Sequence, residues 1–359
     1  MRFTQFKART RRAVSANRGP RAAFTIIELL VVIGIIAVLA GILLVALRNV
    51  NQRAKATETS KRLETFSAAI DSYVQDVGQF PAVIPENILG AMTNPPISST
   101  ENTLLALMGG YRVLLPSDVG TPAQDAYDDF VANPVGCGGM IEINFGSSGY
   151  KLAVDLNQIG QGPVVNGKPR APFLAPSQGE MIEIVGQIGE PHTVTNPCPP
   201  GGPSTRGLPD LVDGWGQPIM LLRRMRQTGP LVGDPSNNPQ FLVGAMTPYL
   251  DSIELAELGK DQTAESILNQ AANPLLTLAQ IIRSPAFGPP DITQAAINNG
   301  EYVPRGSYAL FSAGPDGVFF SIYDGPGSPG SAVLDIETGQ YGNPQVVNEY
   351  DDIRRFGGA

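Results

Sequence analysis

Nineteen consecutive residues, Leu29 to Leu47 (LLVVIGIIAVLAGILLVAL), carry no charge. As a helix rising 1.5 Å per residue, a run of that length matches the roughly 30 Å hydrocarbon core of a bilayer, so it predicts one membrane-spanning helix. Residues 1 to 23 hold seven basic groups (Arg2, Lys7, Arg9, Arg11, Arg12, Arg18, Arg21) and no acid. Positive charge ahead of a single span keeps the N-terminus in the cytoplasm and sends the remainder across. Just before the uncharged run, in FTIIELLV, stands one carboxylate, Glu28. Two readings of it stand: an interfacial charge that snorkels to the membrane edge, or an intramembrane anion that needs a cation in low dielectric.

The rest of the chain predicts a folded body. It has 359 residues, 42% hydrophobic and 16% charged, enough for one large or two ordinary domains with a real core. The formal charge of -8 understates its acidity, because without the basic leader 18 basic residues face 33 acidic ones. A body at -15 lacks the basic face that nucleic acid requires, and no nucleic-acid partner is expected. Catalytic signals are equally thin. His192 is the single histidine, in the Pro-rich stretch GEPHTVTNPCPP, and reads as part of a surface loop. No phosphate-binding loop, dinucleotide fingerprint or paired Cys/His metal spacing occurs, so the chain does not read as an enzyme.

Three processing schemes fit a basic leader followed by an apolar run. A secretory signal would be cut after the run, but the run is longer than the usual 7 to 15 residues and no small-residue site follows it. A twin-arginine signal would rest on Arg11 and Arg12 alone. The third scheme cuts before the run, and there AFTIIELLVVIGIIAVLAGILL resembles the leader junction of type IV prepilins and type II secretion pseudopilins. The resemblance implies cleavage by prepilin peptidase between Ala23 and Phe24, with methylation of Phe24. Ala23 stands where the family has Gly. It also implies that Glu28 meets the free amino terminus of a neighbouring subunit as helices pack into a filament, setting register through a charge pair in low dielectric.

The helix is expected to continue past the membrane. Residues 48 to 77 contain no Gly or Pro, and Val50, Ala54, Leu63, Phe66, Ala69, Ile70, Tyr73, Val74 and Val77 recur at spacings of three and four. Gly78 and Pro81 supply the stop. A helix of about 50 residues, about 80 Å long, needs a partner for this stripe, and a sheet is expected. Four blocks extend the resemblance to the major secretion pseudopilin: the helix end LETFSAAIDSYVQDVGQFP, then DLVDGWGQPIMLL (210–222), SYALFSAGPDG (307–317) and YDDIRRF near the C-terminus. The implied fold is α+β and pilin-like, a long N-terminal transmembrane-to-periplasmic helix packed on an antiparallel β-sheet with large loop-rich insertions.

The same resemblance implies calcium in the loop after the last strands, with Asp316, Asp351 and Asp352 as side-chain ligands and Leu310 and Ala313 offering carbonyl oxygens. Calcium takes six to eight oxygens, and Asp324 and Asp335 are substitutes within the intervening segment. The bland reading of Asp316-Gly317 is a tight turn without metal. Cys137 and Cys198 are the only cysteines. In an oxidising compartment they are expected to pair, two buried thiols being the alternative.

The expected organisation is a cleaved leader (1–23), a membrane and filament-core half-helix (24–47), an amphipathic half (48–80) and a head (81–359) enlarged by insertions at about 82–209, 225–300 and 318–347. Within it TENTLLALMGGY reads as a short helix, MIEINFG, YKLAVDL and MIEIVGQI as strands, 157–180 and 187–209 as surface loops, and 250–283 as a helical hairpin. The functional expectation is a structural subunit of a type II secretion pseudopilus or type IV pilus-like filament. It would sit in the inner membrane as a single-pass protein with a periplasmic or filament-borne head. Its partners would be copies of itself, other pilin-like subunits, membrane lipid, the peptidase and an inner-membrane assembly platform. The alternative is a membrane-anchored exported binding protein that uses the leader without polymerising.

Overall fold

A computed structural model describes residues 26–89, 96–177, 179–183, 192–197, 205–223, 242–243, 248–249, 306–321, 334–335, 340–341 and 353–358. The chain divides into two compact units, Met1–Asn51 and Gln52–Ala359. Helix α1 (Ile26–Val77, 52 residues) begins in the first and ends in the second. Among the described residues of the first unit this helix buries nothing: its large apolar side chains are exposed, from 46% at Val32 to 85% at Ile26. Among the described residues α1 is also the one helix long and apolar enough to cross a membrane.

In the second unit α1 becomes the spine of a packed domain. Thr59, Leu63, Phe66, Ser67, Ile70 and Tyr73 are all buried, at steps that keep them on one face of the helix. The predicted stripe is therefore displaced toward the C-terminus. Val50 is 63% exposed and Val74 38% exposed, and Ala54 is also open, because the core draws its α1 members from Leu63 onward. The predicted stop holds: Gly78 adopts φ +81° and its N–H donates to the Val74 carbonyl at 2.9 Å.

After α2 (Glu86–Leu89) comes α3 (Ser99–Met108), the predicted short helix. Its start is a capping box, in which Ser98 Oγ accepts from the Glu101 N–H at 2.9 Å and Glu101 Oε2 accepts from the Ser98 N–H at 2.7 Å. Strand β1 (Tyr111–Leu114) and helix α4 (Pro122–Ala132) follow, neither anticipated from the sequence. Strands β2 (Met140–Asn144) and β3 (Lys151–Asp155) occupy two of the predicted segments and join β1 in an antiparallel sheet of order β1-β3-β2.

Short pairings come next. β4 (Val164–Val165) pairs with β5 (Lys168–Pro169), β6 (Met181–Glu183) with β9 (Pro209–Leu211), and β7 (His192–Thr193) with β8 (Thr205–Arg206). Residues 157–180 and 187–209 are thus not plain surface loops. Val165, Leu174, His192, Val194 and Leu208 are buried; His192 pairs with Arg206 and Val194 bridges to Ile141, whereas Val165 belongs to a local hairpin closed by Asn166-Gly167.

β10 (Met220–Arg223) opens a second main sheet. After a small hairpin of β11 (Leu242–Val243) and β12 (Pro248–Tyr249) come β13 (Tyr308–Ser312), a second small hairpin of β14 (Leu334–Asp335) and β15 (Gln340–Tyr341), and β16 (Ile353–Gly357). The sheet order is β10-β13-β16, antiparallel, with Leu221, Leu310 and Arg355 in register. The expected helical hairpin over 250–283 lies outside the described residues.

Among the described residues the core consists of two large clusters and a smaller third one of Leu114, Tyr127, Met140 and Ala153. In one large cluster, Leu63, Phe66, Ile70 and Tyr73 of α1 pack with Leu104 and Leu107 of α3, Leu221 of β10, and Tyr308 and Leu310 of β13. In the other, Ile141, Ile143, Leu152 and Val154 of the first sheet pack with Leu105 from another face of α3. The architecture is α+β, a long N-terminal apolar helix followed by antiparallel sheets.

Candidate functional site

Glu28 lies in the first turn of α1 and is exposed. The N-terminal end of a helix presents unsatisfied N–H groups and partial positive charge, which favours a carboxylate there. Together with Ile27, Val31 and Val32 it lines a shallow, mostly apolar recess of about 300 Å³. Ala23 and Phe24, the expected cleavage pair, lie outside the described residues.

The sequence blocks that carry the family resemblance converge in the second unit. β10, β13 and β16 are the strands of one sheet, and the buried face of α1 packs against the first two. Polar side chains fasten the joint. Tyr308 Oη lies 2.7 Å from Ser67 Oγ and donates within reach of the Ser67 carbonyl and Asp71 Oδ1, each at 3.0 Å. Arg62 donates from Nη1 to the carbonyls of Val212 and Asp213 at 2.7 and 3.0 Å, and pairs with Glu58 through Nη2. The Gly214 N–H donates to Thr59 Oγ1 at 2.8 Å, and Trp215 Nε1 donates to Gln52 Oε1 at 2.7 Å. A Cβ on Gly214 would stand 2.7 Å from the Lys55 carbonyl, so only glycine lets this loop approach α1 so closely.

Asp213 organises that loop. It is 2% exposed; its Oδ1 accepts from the N–H groups of Trp215 and Gln217 at 2.8 and 2.9 Å, and its Oδ2 accepts from Ser312 Oγ at 2.6 Å. Burial pushes its carboxyl above the usual carboxylate range, against the pull of these hydrogen bonds. Sequence reading places Asp213 in a matching block without assigning it this function, and misses Arg62 altogether. The basic residue at a helical step among Thr59, Leu63 and Phe66 is the available signal.

A second buried carboxyl, Asp210 of β9, is also missed. It is 3% exposed, its Oδ1 has no hydrogen-bond partner among the described residues, and burial followed by the charge of Glu101 drives its pKa well up. His192 is 7% exposed, and burial lowers its pKa to about 4. It sits in β7, opposite Arg206. Among the described residues its Nε2 has no hydrogen-bond partner, and the ring lies in the interior rather than in the surface loop expected from the sequence.

The expected calcium ligands are partly placed. Leu310 is mid-strand between two paired neighbours, where the ladder engages its carbonyl, and Ala313 follows the strand end. Asp316 Oδ1 accepts from the Val318 N–H at 3.0 Å, and Gly317 has φ +78°, so the pair forms a turn. Asp351 and Asp352 lie outside the described residues, among which no cluster of three or more His, Cys, Asp or Glu is gathered. Cys137 is disulfide-bonded. Cys198, the other cysteine of the sequence, lies outside the described residues, but the segment before it is clamped to Cys137's loop. The Gly138 N–H donates to the Asn196 carbonyl at 2.6 Å, and Asn196 Oδ1 accepts from the Met140 N–H at 2.8 Å.

Comparison with known proteins is confined to the N-terminus, where the prokaryotic N-terminal methylation motif matches residues 18–44. No curated protein and no solved structure matches the chain significantly. The matched span takes in Ala23, Phe24, Glu28 and most of the uncharged run. The chain carries the prokaryotic N-terminal methylation motif, a leader of the type IV prepilin kind.

Proposed function

We propose that this chain is a structural subunit of a type II secretion pseudopilus or type IV pilus-like filament and has no catalytic activity. The observation that carries this reading is the methylation motif on residues 18–44, which runs onto an α1 segment whose apolar side chains stay uncovered among the described residues. In the membrane, lipid covers those side chains; in a filament, the same segments of neighbouring subunits do. Prepilin peptidase cuts between Ala23 and Phe24, the new amino group of Phe24 is methylated, and an assembly platform in the inner membrane extracts the subunit. The Phe24 ammonium of one subunit then meets Glu28 of another, and mutual neutralisation makes burial of both tolerable. The N-terminus of the unprocessed chain is cytoplasmic, and the head is periplasmic or displayed on the filament.

Mass spectrometry of protein purified from its native membranes tests the processing, with a mature N-terminus at methylated Phe24 expected. Negative-stain microscopy of the same membranes tests assembly. Filaments bound by an antibody to the head support the proposal, whereas processed but strictly monomeric protein supports an anchored exported binding protein instead. Calcium at the Asp316 turn, with Asp351 and Asp352, belongs to the proposal through the family resemblance. It predicts a lower Tm on chelation that Asp316→Ala abolishes, and an unchanged Tm rejects it.

A further inference from the structure

Trp215 is the only tryptophan of the chain, and the loop that carries it is laid on α1 at Gln52 to Thr59. Its ring is partly exposed, and its one polar group is already satisfied by Gln52 Oε1 at 2.7 Å. Gln52 stands five residues after Leu47, where the uncharged run ends. Chain reach alone holds it within about 18 Å of that point, close to the headgroup layer that borders the hydrocarbon core. Arg53 is exposed and Lys55 partly exposed on the same stretch, and no acid occurs between Gln52 and Glu58.

An aromatic ring with its N–H tied down, held to a helix stretch whose exposed or partly exposed charges before Glu58 are Arg53 and Lys55, has the chemistry of a protein surface that rests on anionic lipid headgroups. We propose that before assembly the loop Asp213–Gln217 docks the head on the membrane from which α1 emerges. Trp215 enters the headgroup layer, and Arg53 and Lys55 pair with lipid phosphates. This rests on membrane insertion of residues 26–47, and it goes beyond that insertion by giving the head a lipid contact of its own. Extraction into a filament would then have to break that contact, so lipid charge would bear on how readily subunits leave the bilayer.

The sole tryptophan makes the test direct. The full chain is reconstituted into phosphatidylethanolamine–phosphatidylglycerol vesicles, and co-flotation establishes insertion. Trp215 emission is then measured with a nitroxide on the lipid headgroup, at a shallow acyl position or at a deep one. Strongest quenching by the headgroup label is expected, together with reduced acrylamide access relative to detergent and loss of both effects in Arg53→Glu/Lys55→Glu. Chains that float but show no lipid quenching, with acrylamide access as in detergent, overturn the docking and leave insertion standing. Chains that fail to float overturn the insertion and the docking with it. Quenching that survives the double charge reversal rejects the phosphate pairing.

Discussion

Ser312 Oγ donates to Asp213 Oδ2 at 2.6 Å, both residues almost fully buried, across 99 positions of sequence. This bond ties β13 to the loop that closes on α1, and its carboxylate also accepts the N–H groups of Trp215 and Gln217. Asp213→Ala strands three donors in the interior and is expected to destabilise the head by about 2–4 kcal/mol. Asp213→Asn keeps an acceptor for the two amides and is expected to lose roughly half as much. Urea denaturation of the detergent-solubilised chain measures both, and equal losses would show that charge, not acceptance, matters at this position.

Asp210 is expected to behave in the opposite sense. Its pKa is raised in the folded state, so its contribution is fully present below the unfolded carboxylate value and is lost as pH rises through the folded one. Asp210→Asn removes a carboxyl that is expensive to ionise in the interior. At pH 8 the variant is expected to gain about 1–2 kcal/mol over the parent, with the gain vanishing near pH 4. A gain or loss that does not vary between those two pH values would contradict the assignment.

For His192 the folded pKa is depressed to about 4, below its ordinary value of 6.5. The folded state therefore binds fewer protons between those values, and stability falls as pH drops from about 6.5 to about 4. The loss reaches at most about 3 kcal/mol, since each tenfold change in proton affinity is worth about 1.4 kcal/mol. Comparing His192→Gln with the parent across that window isolates the effect, and parallel stability curves would reject it.

Glu28→Gln is expected to leave cleavage at Phe24 intact while sharply reducing filament number, because the neutral side chain cannot balance a buried ammonium. N-terminal sequencing and filament counts from the same cells separate the two steps. Filaments at parental abundance would return Glu28 to an interfacial, snorkelling role.

Peptide mapping without reductant is expected to recover Cys137 crosslinked to Cys198. Breaking that bridge by Cys198→Ser should lower stability by about 4 kcal/mol in the chain-entropy account of a loop this long. Recovery of Cys137 linked to a second chain would instead indicate an intermolecular bond.

What can be read from the sequence is set by locality. The end of α1 at Gly78 and the helix before Gly109 have their causes within a few residues, and β2 and β3 alternate cleanly. Helix α4 is missed although its signals are local too: Thr121 and Pro122 mark the start, and Ala123, Ala126, Tyr127, Phe130 and Val131 recur at helical spacing. β7 escapes because two residues among prolines become a strand only through pairing with Thr205 and Arg206. Val50 and Ala54 fall in the expected stripe on spacing alone, but burial depends on where the rest of the domain reaches the helix. The N-terminal motif is legible because its chemistry is linear: a basic leader, a Phe, a Glu at fixed offset and an apolar run.

The fastening of α1 has a mechanical consequence. Gln52, Thr59, Arg62, Ser67 and Asp71 each hold a side-chain bond to the loop or to β13, spread over about five helical turns. A pull along the helix axis loads these bonds in shear and together, so none can be unzipped alone while the others rest. A subunit drawn out by its N-terminal helix would therefore bring its head along folded.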